Sequence, residues 1–378
     1  MAVTELALER RFPQLAGRLP RVALTALPTP VQQLERLGRA QGIERLWIKR
    51  DDQSGVLYGG NKPRKLELLL GAARQRGRRS VMTFGGIGTH HGLATAIGAR
   101  VAGLRTILVL LRQPVTAHVR RCLLLDYAYG AELHYAPTVA GVAASAARLY
   151  ARGWLNGDRP EVIPTGGTSA LGTIGYVNAA LELAEQVERA EVPEPDAIFV
   201  PLGSGGTAAG LMLGLKLAGL RSRVVGVLVT DILPPSARRL ARLARASQRR
   251  LRRLAPEIPD VTVSASDLTI VTEFCGAGYG APSAEAEAAQ RLAADIEGLQ
   301  LETTYTAKCA AALLHLARAP AYRGRTLLFW NTYSSVDPGA QLERLPDFHE
   351  LPPAFHQFFS DDAAPVRPGN QAAARRSP

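Results

Sequence analysis

The sequence predicts an α/β fold of two domains with mostly parallel sheets. Three observations predict it. Short apolar runs rich in β-branched residues alternate with Ala/Leu-rich stretches whose apolar residues recur at helical spacing. Glycine is frequent, with 36 residues, and aromatics are sparse at 6%, as a fold with many tight strand-to-helix turns requires. At 378 residues the chain exceeds the usual size of one domain.

The predicted strands, in order, are 46–49, 81–84, 106–110, 132–135, 162–164, 197–201, 224–229 and 326–330. The segments between them read as helices, with Leu66, Leu69, Leu70 and Ala73 after Pro63 as the clearest stripe. Alternation of this kind gives βαβ units and parallel sheets. A domain boundary falls near Pro193 and Pro195, or the chain crosses between domains more than once. Strand signals stop after Pro338, and the last stretch, DDAAPVRPGNQAAARRSP, has the composition of a disordered tail.

The balance of charge is +12. Only five residues are lysine (Lys49, Lys62, Lys65, Lys216 and Lys308), and the remaining cations are arginines scattered along Ala/Leu-rich helices. Scattered arginine does not make a nucleic-acid patch, and no nucleic acid is expected as a partner. The densest run, ARRLARLARASQRRLRRL, has amphipathic spacing and reads as a solvated face or a subunit contact. No run approaches the roughly 20 apolar residues of a membrane span. The first residues, MAVTELALERRFPQL, carry charge where a signal peptide needs an apolar core, so a cytoplasmic location is expected. Cys122, Cys275 and Cys309 lie far apart without CxxC spacing, so neither a disulfide framework nor a metal site is expected.

Three segments carry chemistry. In KRDDQSGVLYGGNKPRKLELLL, Gly59 and Gly60 free the backbone and Pro63 suits a first helical turn. Lys62 then sits at a helix N-terminus, whose positive end disfavours an ammonium and favours a nucleophilic amine. A plain surface charge beside Arg64 and Lys65 is the alternative. In AIFVPLGSGGTAAGLMLGLKL, an apolar strand enters Gly203, Ser204, Gly205, Gly206 and Thr207 and then a helix, so bare N–H groups converge as a phosphate site. The same loop meets a loose dinucleotide pattern through Gly203, Gly205 and Ala208, with Asp231 as ribose acid, so an NAD-dependent enzyme stands as a rival. In TFGGIGTHHGLATA, Thr89, His90 and His91 stand at a further helix start, placed for a substrate carboxylate, for proton relay or for purely structural roles.

These segments resemble the D-cysteine desulfhydrase and 1-aminocyclopropane-1-carboxylate deaminase group of fold-type II pyridoxal phosphate enzymes, which have the tryptophan synthase β-like architecture. The resemblance runs from about Leu27 to Phe329, through LPTP, KRDD with GGNKPRKLE, GGIGTHH, IPTGGTSALGTIGY, GSGGT, GYGAP and TYTAK, in that order. It implies pyridoxal 5′-phosphate as cofactor, a Schiff base on Lys62, and a phosphate cup from Gly203 to Thr207. Thr89 looks like the residue near the substrate carboxylate, and Tyr279 and Tyr305 look like active-site tyrosines. Thr306 falls where the group has its ring-nitrogen partner, an acid in the deaminases and a hydroxyl in the desulfhydrases. Thr332 matches the desulfhydrase pattern. The resemblance further implies a large cofactor-binding domain of residues 1–60 and 173–345, a small α/β domain of 61–172, a tail of 346–378 without fixed structure, and a homodimer.

The sequence departs from the group where Gln-Ser-Asn becomes Gly88-Thr89-His90, so His90 replaces the asparagine that contacts the cofactor's phenolic oxygen. It departs again where His-Thr-Gly-Gly becomes Asn331-Thr332-Tyr333-Ser334. The activity implied is a lyase or deaminase reaction on a small amino acid, α,β-elimination of the D-cysteine kind giving a keto acid and ammonia. Other pyridoxal phosphate activities (cyclopropane deamination, racemisation, β-replacement) and a non-catalytic cofactor-binding relative stand beside it.

Overall fold

The computed structural model describes residues 4–232 and 234–359. Its ten strands are β1 (Val31–Gln33), β2 (Leu46–Lys49), β3 (Ser80–Gly86), β4 (Arg105–Leu111), β5 (Ala131–Ala136), β6 (Glu161–Val162), β7 (Ala197–Leu202), β8 (Arg223–Leu228), β9 (Leu268–Val271) and β10 (Leu327–Trp330). The helices are α1 (Ala7–Arg11), α2 (Glu35–Gln41), α3 (Asn61–Gln75), α4 (His90–Val101), α5 (Ala117–Ala128), α6 (Val139–Leu155), α7 (Ala170–Glu188), α8 (Gly206–Ala218), α9 (Ala237–Leu254), α10 (Ala284–Glu297) and α11 (Thr306–Leu316).

The strands form two sheets. One runs β1-β2-β10-β7-β8-β9 and is parallel except for β1 against β2; the other runs β5-β4-β3-β6 and is parallel throughout. The chain leaves the larger sheet after β2, builds the smaller one, and returns at β7. Pro193 and Pro195 therefore lie between α7 and β7, at the point of return. All eight predicted strands are present in the fold, and β1 and β9 are additions. Both are short edge strands: β1 reads Val-Gln-Gln with two exposed glutamines, and β9 is half-exposed, so neither carries a clear apolar run.

Burial explains the central elements. Every residue of β7 is buried, as a strand covered on both faces requires. Helix α8 is buried almost all round and crosses α7 closely. An added Cβ at Gly210 would meet Tyr176 Cβ at 2.4 Å, and one at Gly214 would meet Ala180 Cβ at 2.6 Å. Helix α9 buries Leu240, Ala241, Ala244 and Leu251 and leaves Arg238, Arg242, Arg245 and Arg249 exposed on this chain, the arginine face that its amphipathic spacing predicts.

The expectation of a tail without structure from residue 346 is corrected. Residues 346–359 fold into two short 3-10 turns that bury Leu351, Phe355 and Phe358. Tyr135 of β5 meets Phe355 and Phe358 edge-on at 6.1 and 5.2 Å, and Arg120 of α5 donates to the Phe358 carbonyl. No periodic run announces this segment, because three spaced aromatic and aliphatic anchors hold it. Residues 360–378, which include most of the predicted tail, lie outside the described residues.

Under the start of α3 lies a buried ion network. Arg64 donates to both Asp51 oxygens and to both Glu182 oxygens, and Lys49 Nζ reaches Glu182 at 2.7 Å. Tyr176 Oη and Trp330 Nε1 donate to Asp51 Oδ2 at 2.5 and 2.7 Å. Two cations and two carboxylates thus tie β2, the turn after it, α3, α7 and β10 together out of water. Burial works against ionisation of Glu182, but Arg64 and Lys49 outweigh it and hold the carboxyl well below its ordinary value. Arg64→Leu leaves Asp51 without its cation and Glu182 with Lys49 alone, and should cost about 3–5 kcal/mol of stability in denaturant titration. Because the folded-state pKa of Glu182 is depressed, its contribution is complete above the ordinary value of 4.5 and is lost as pH falls below it. The difference between wild type and Glu182→Gln should therefore shrink in acid, and a difference unchanged between pH 7 and the acid limb would contradict this account.

Candidate active site

Helix N-termini of both sheets open on one cavity of about 530 Å³. Lys62, Thr89, His90, Gly203, Ser204, Gly205, Thr207, Tyr279 and Tyr305 line it. Of the predicted site residues, Gly206 and Thr306 are not among its lining.

Lys62 is the second residue of α3. Gly60 precedes the helix with φ +80°, and a Cβ there would meet the Thr332 carbonyl oxygen at 2.5 Å, so only glycine makes this turn. The half-buried Lys62 places its amine below the protein surface, where it donates to Asn61 Oδ1 at 2.7 Å and lies 5.9 Å from the Tyr305 ring centre. Asn61 in turn donates to Thr207 Oγ1. Burial lowers the Lys62 pKa to about 8, against the opposing pull of Glu302. An amine of that kind is partly neutral near physiological pH and able to attack an aldehyde.

The loop from Gly203 to Thr207 joins β7 to the N-terminus of α8. Gly205 has φ +88°, and a side chain there would strike Leu240 of α9. A second loop faces it: Ser204 Oγ and Thr168 Oγ1 are 2.7 Å apart, and Thr165, Gly166 and Thr168 share the cavity wall. Between the loops stands Lys65, fully buried, whose amine makes one long contact, 3.3 Å to the Gly166 carbonyl. Burial, and then the charge of Lys62, push its pKa well below the usual value. Sequence reasoning missed Lys65 and Thr168. The signal for Lys65 was present, since it stands three residues after Lys62 and so on the same helix face.

Opposite Lys62, Tyr305 Oη donates to Tyr279 Oη at 2.9 Å with the rings edge-on. Burial raises both phenols, Tyr305 further than Tyr279, so both stay protonated. Asp231 accepts from the Tyr279 backbone N–H and so positions the tyrosine loop. Glu302, also missed, lines the cavity and caps α11, accepting from the backbone N–H groups of Thr304, Tyr305 and Thr306. Thr306 is fully buried, and its hydroxyl is engaged with Glu302.

Thr89 is the N-cap of α4, its Oγ1 accepting from Gly92 N–H. His90 has both ring nitrogens engaged, Nδ1 with Tyr58 Oη at 2.9 Å and Nε2 with His118 Nε2 at 3.2 Å. It therefore does not hold a ring nitrogen free for a phenolic oxygen in the cavity. Burial, then His118 and Lys62, lower its pKa to about 3, so the ring is neutral. His91 also lines the cavity, with its Nε2 held against Thr83 Oγ1 at 3.0 Å.

Comparison with known proteins gives this geometry its family. The family described as pyridoxal-phosphate dependent enzyme matches residues 22–332. A D-cysteine desulfhydrase of Klebsiella pneumoniae (strain 342) is 35% identical over 303 residues, 79% of this chain and 88% of the relative. A putative 1-aminocyclopropane-1-carboxylate deaminase of Pyrococcus abyssi is 32% identical over 84% of this chain and 92% of its own. The crystal structure of an ACC deaminase homologue superposes with a TM-score of 0.72 at 34% identity, covering 85% of this chain and 94% of that one. The dinucleotide rival falls with these matches, whose family is dependent on pyridoxal phosphate. The chain belongs to the pyridoxal-phosphate dependent enzymes.

Proposed function

We propose that this enzyme catalyses α,β-elimination on a small amino acid of the D-cysteine kind, yielding a keto acid and ammonia. The observation that carries the reading is Lys62: a desolvated amine at a helix N-terminus, facing two protonated tyrosines across one cavity. In this reading the enzyme works as a homodimer in the cytoplasm.

The residues fit pyridoxal phosphate. Lys65 brings a buried amine whose hydrogen bond is the long one to Gly166, and a Cβ on Gly206 would crowd Thr168 Oγ1 at 2.9 Å and stand 3.4 Å from that amine, so it is the glycine that keeps the cradle open for a phosphate. The N–H groups from Ser204 to Thr207 add donors at the start of α8. The cofactor, when bound, supplies an electron sink for charge developing at the substrate Cα. The chain supplies the rest. Lys62 Nζ would hold the cofactor through its aldehyde group, and once free it would take the Cα proton of the substrate. Thr89 Oγ1 and the N-terminus of α4 hold the substrate carboxylate. Tyr305 donates to Tyr279, which leaves the Tyr279 proton free to pass to the departing β-substituent. Thr306 is the proposed ring-nitrogen partner, a neutral hydroxyl sufficient for a good leaving group such as a thiolate.

A second reading has its own observation. Glu302, a carboxylate, lines the cavity while Thr306 does not. A carboxylate at the ring nitrogen would make a stronger sink, suited to opening a strained cyclopropane.

Borohydride reduction of the holoenzyme should fix the cofactor on the Lys62 peptide, and Lys62→Arg should abolish the bound-cofactor absorbance. Cofactor capture by the apoprotein should speed up as pH rises through about 8 and level off above it, since the lowered pKa leaves the amine neutral there. A capture rate flat across that range would contradict the role given to Lys62. Turnover assayed on D-cysteine, L-cysteine and 1-aminocyclopropane-1-carboxylate should release sulfide and keto acid from D-cysteine; turnover of the cyclopropane substrate alone would replace the first reading with the second. Tyr279→Phe should lower kcat by about 10²–10⁴ with little change in KM, as loss of a general acid does.

A further inference from the structure

We propose that His90, His118 and Cys122 form a binding site for a zinc-like divalent cation at the junction of α4 and α5. His118 and Cys122 are one turn apart on α5, and His90 opens α4. His118 Nε2 stands 3.2 Å from His90 Nε2 and 3.3 Å from Cys122 Sγ, and all three ligand atoms lie within 4.8 Å of one another. Ligand atoms on a tetrahedral zinc stand about 3.3–3.6 Å apart, given Zn–N near 2.0–2.1 Å and Zn–S near 2.3 Å. Two edges of the triangle lie within a few tenths of an ångström of that spacing, and the third is no longer than 4.8 Å.

The surroundings complete the site. Tyr58 Oη binds His90 Nδ1, the arrangement that directs the other nitrogen to a metal; in the bound form Nδ1–H donates to the tyrosine. Tyr333 closes on the same ring edge-on at 5.4 Å. Asp126 lies one further turn along α5, fully buried, with neither carboxyl oxygen hydrogen-bonded among the described residues, and it acts electrostatically on both Cys122 and Tyr58. A buried carboxyl group without a hydrogen-bond partner, one turn beyond the Cys122 thiol, is what a cation held at that thiol would satisfy. His118 is exposed, so the fourth position opens to solvent and takes water. Imidazole with one thiolate selects zinc or cobalt over magnesium or calcium. On binding, Cys122 gives up its thiol proton to solvent and the sulfur becomes the third ligand. His90 then turns its Nε2 to the metal and not to the cavity, which couples occupancy to the wall of the candidate active site.

The test is cobalt titration of chelator-treated holoenzyme, followed by electronic absorption. One equivalent of cobalt should bring the visible bands of tetrahedral cobalt and a near-ultraviolet thiolate-to-cobalt band, and zinc should erase both. His118→Ala removes an exposed side chain and should weaken cobalt binding by more than about 100-fold, beyond the 10–100-fold cost of losing an outer contact. Cys122→Ser should abolish the thiolate band. Absence of both bands in the wild type, or an unchanged titration in His118→Ala, would overturn the proposal. These readouts are independent of turnover and of the reaction assigned above.

Discussion

The pairing of Arg64 with Asp51 and Glu182 is the constraint on which the site depends. Arg64 lies two residues after Lys62, and its guanidinium is spent below α3, in contact with both carboxylates. That anchors the first turn of α3 to strands on one side and to α7 on the other. The turn can then face Lys62 and Lys65 toward the cavity without freedom to roll. Buried ion pairs add little net stability compared with apolar packing, but they define one geometry, since any other leaves a charge unpaired. Here the geometry defined is that of the amine expected to carry the cofactor.

Desolvation then sets the chemistry. The cavity groups are pushed toward their neutral forms: Lys62 and Lys65 down, Tyr279 and Tyr305 up, His90 down. One environment thus makes a lysine nucleophilic and keeps phenols protonated. Glu302 is the counterweight. Its carboxyl is buried and raised, yet three backbone N–H groups hold it at the head of α11, where its charge opposes the fall in the Lys62 pKa. The amine therefore settles near neutrality and does not lose its proton altogether.

The C-terminal segment and α5 show how the smaller sheet is tied into the rest. Arg121 pairs with Asp337, Tyr129 donates to the Pro338 carbonyl, and Phe355 and Phe358 close on Tyr135. Helix α5 thereby carries one face of contacts to the chain end and another, through His118 and Cys122, to the start of α4.

What the sequence by itself determined is local and periodic. The eight main strands, the helix starts at Lys62, Thr89 and Thr207, and the glycine turns before them follow from apolar spacing and backbone freedom, which act over a few residues. The glycine loop and the lysine segment, in order with the other motifs, were enough to name the family and its cofactor. What only the tertiary structure decided lies in contacts between distant positions. Lys65 and Gly166 meet across 101 residues of chain, Arg64 and Glu182 across 118, and His90 and His118 across 28; the local patterns of spacing do not join such pairs. The edge strands β1 and β9 and the folded segment 346–359 were hidden for the same reason, since their stability comes from what they lie against and not from their own pattern.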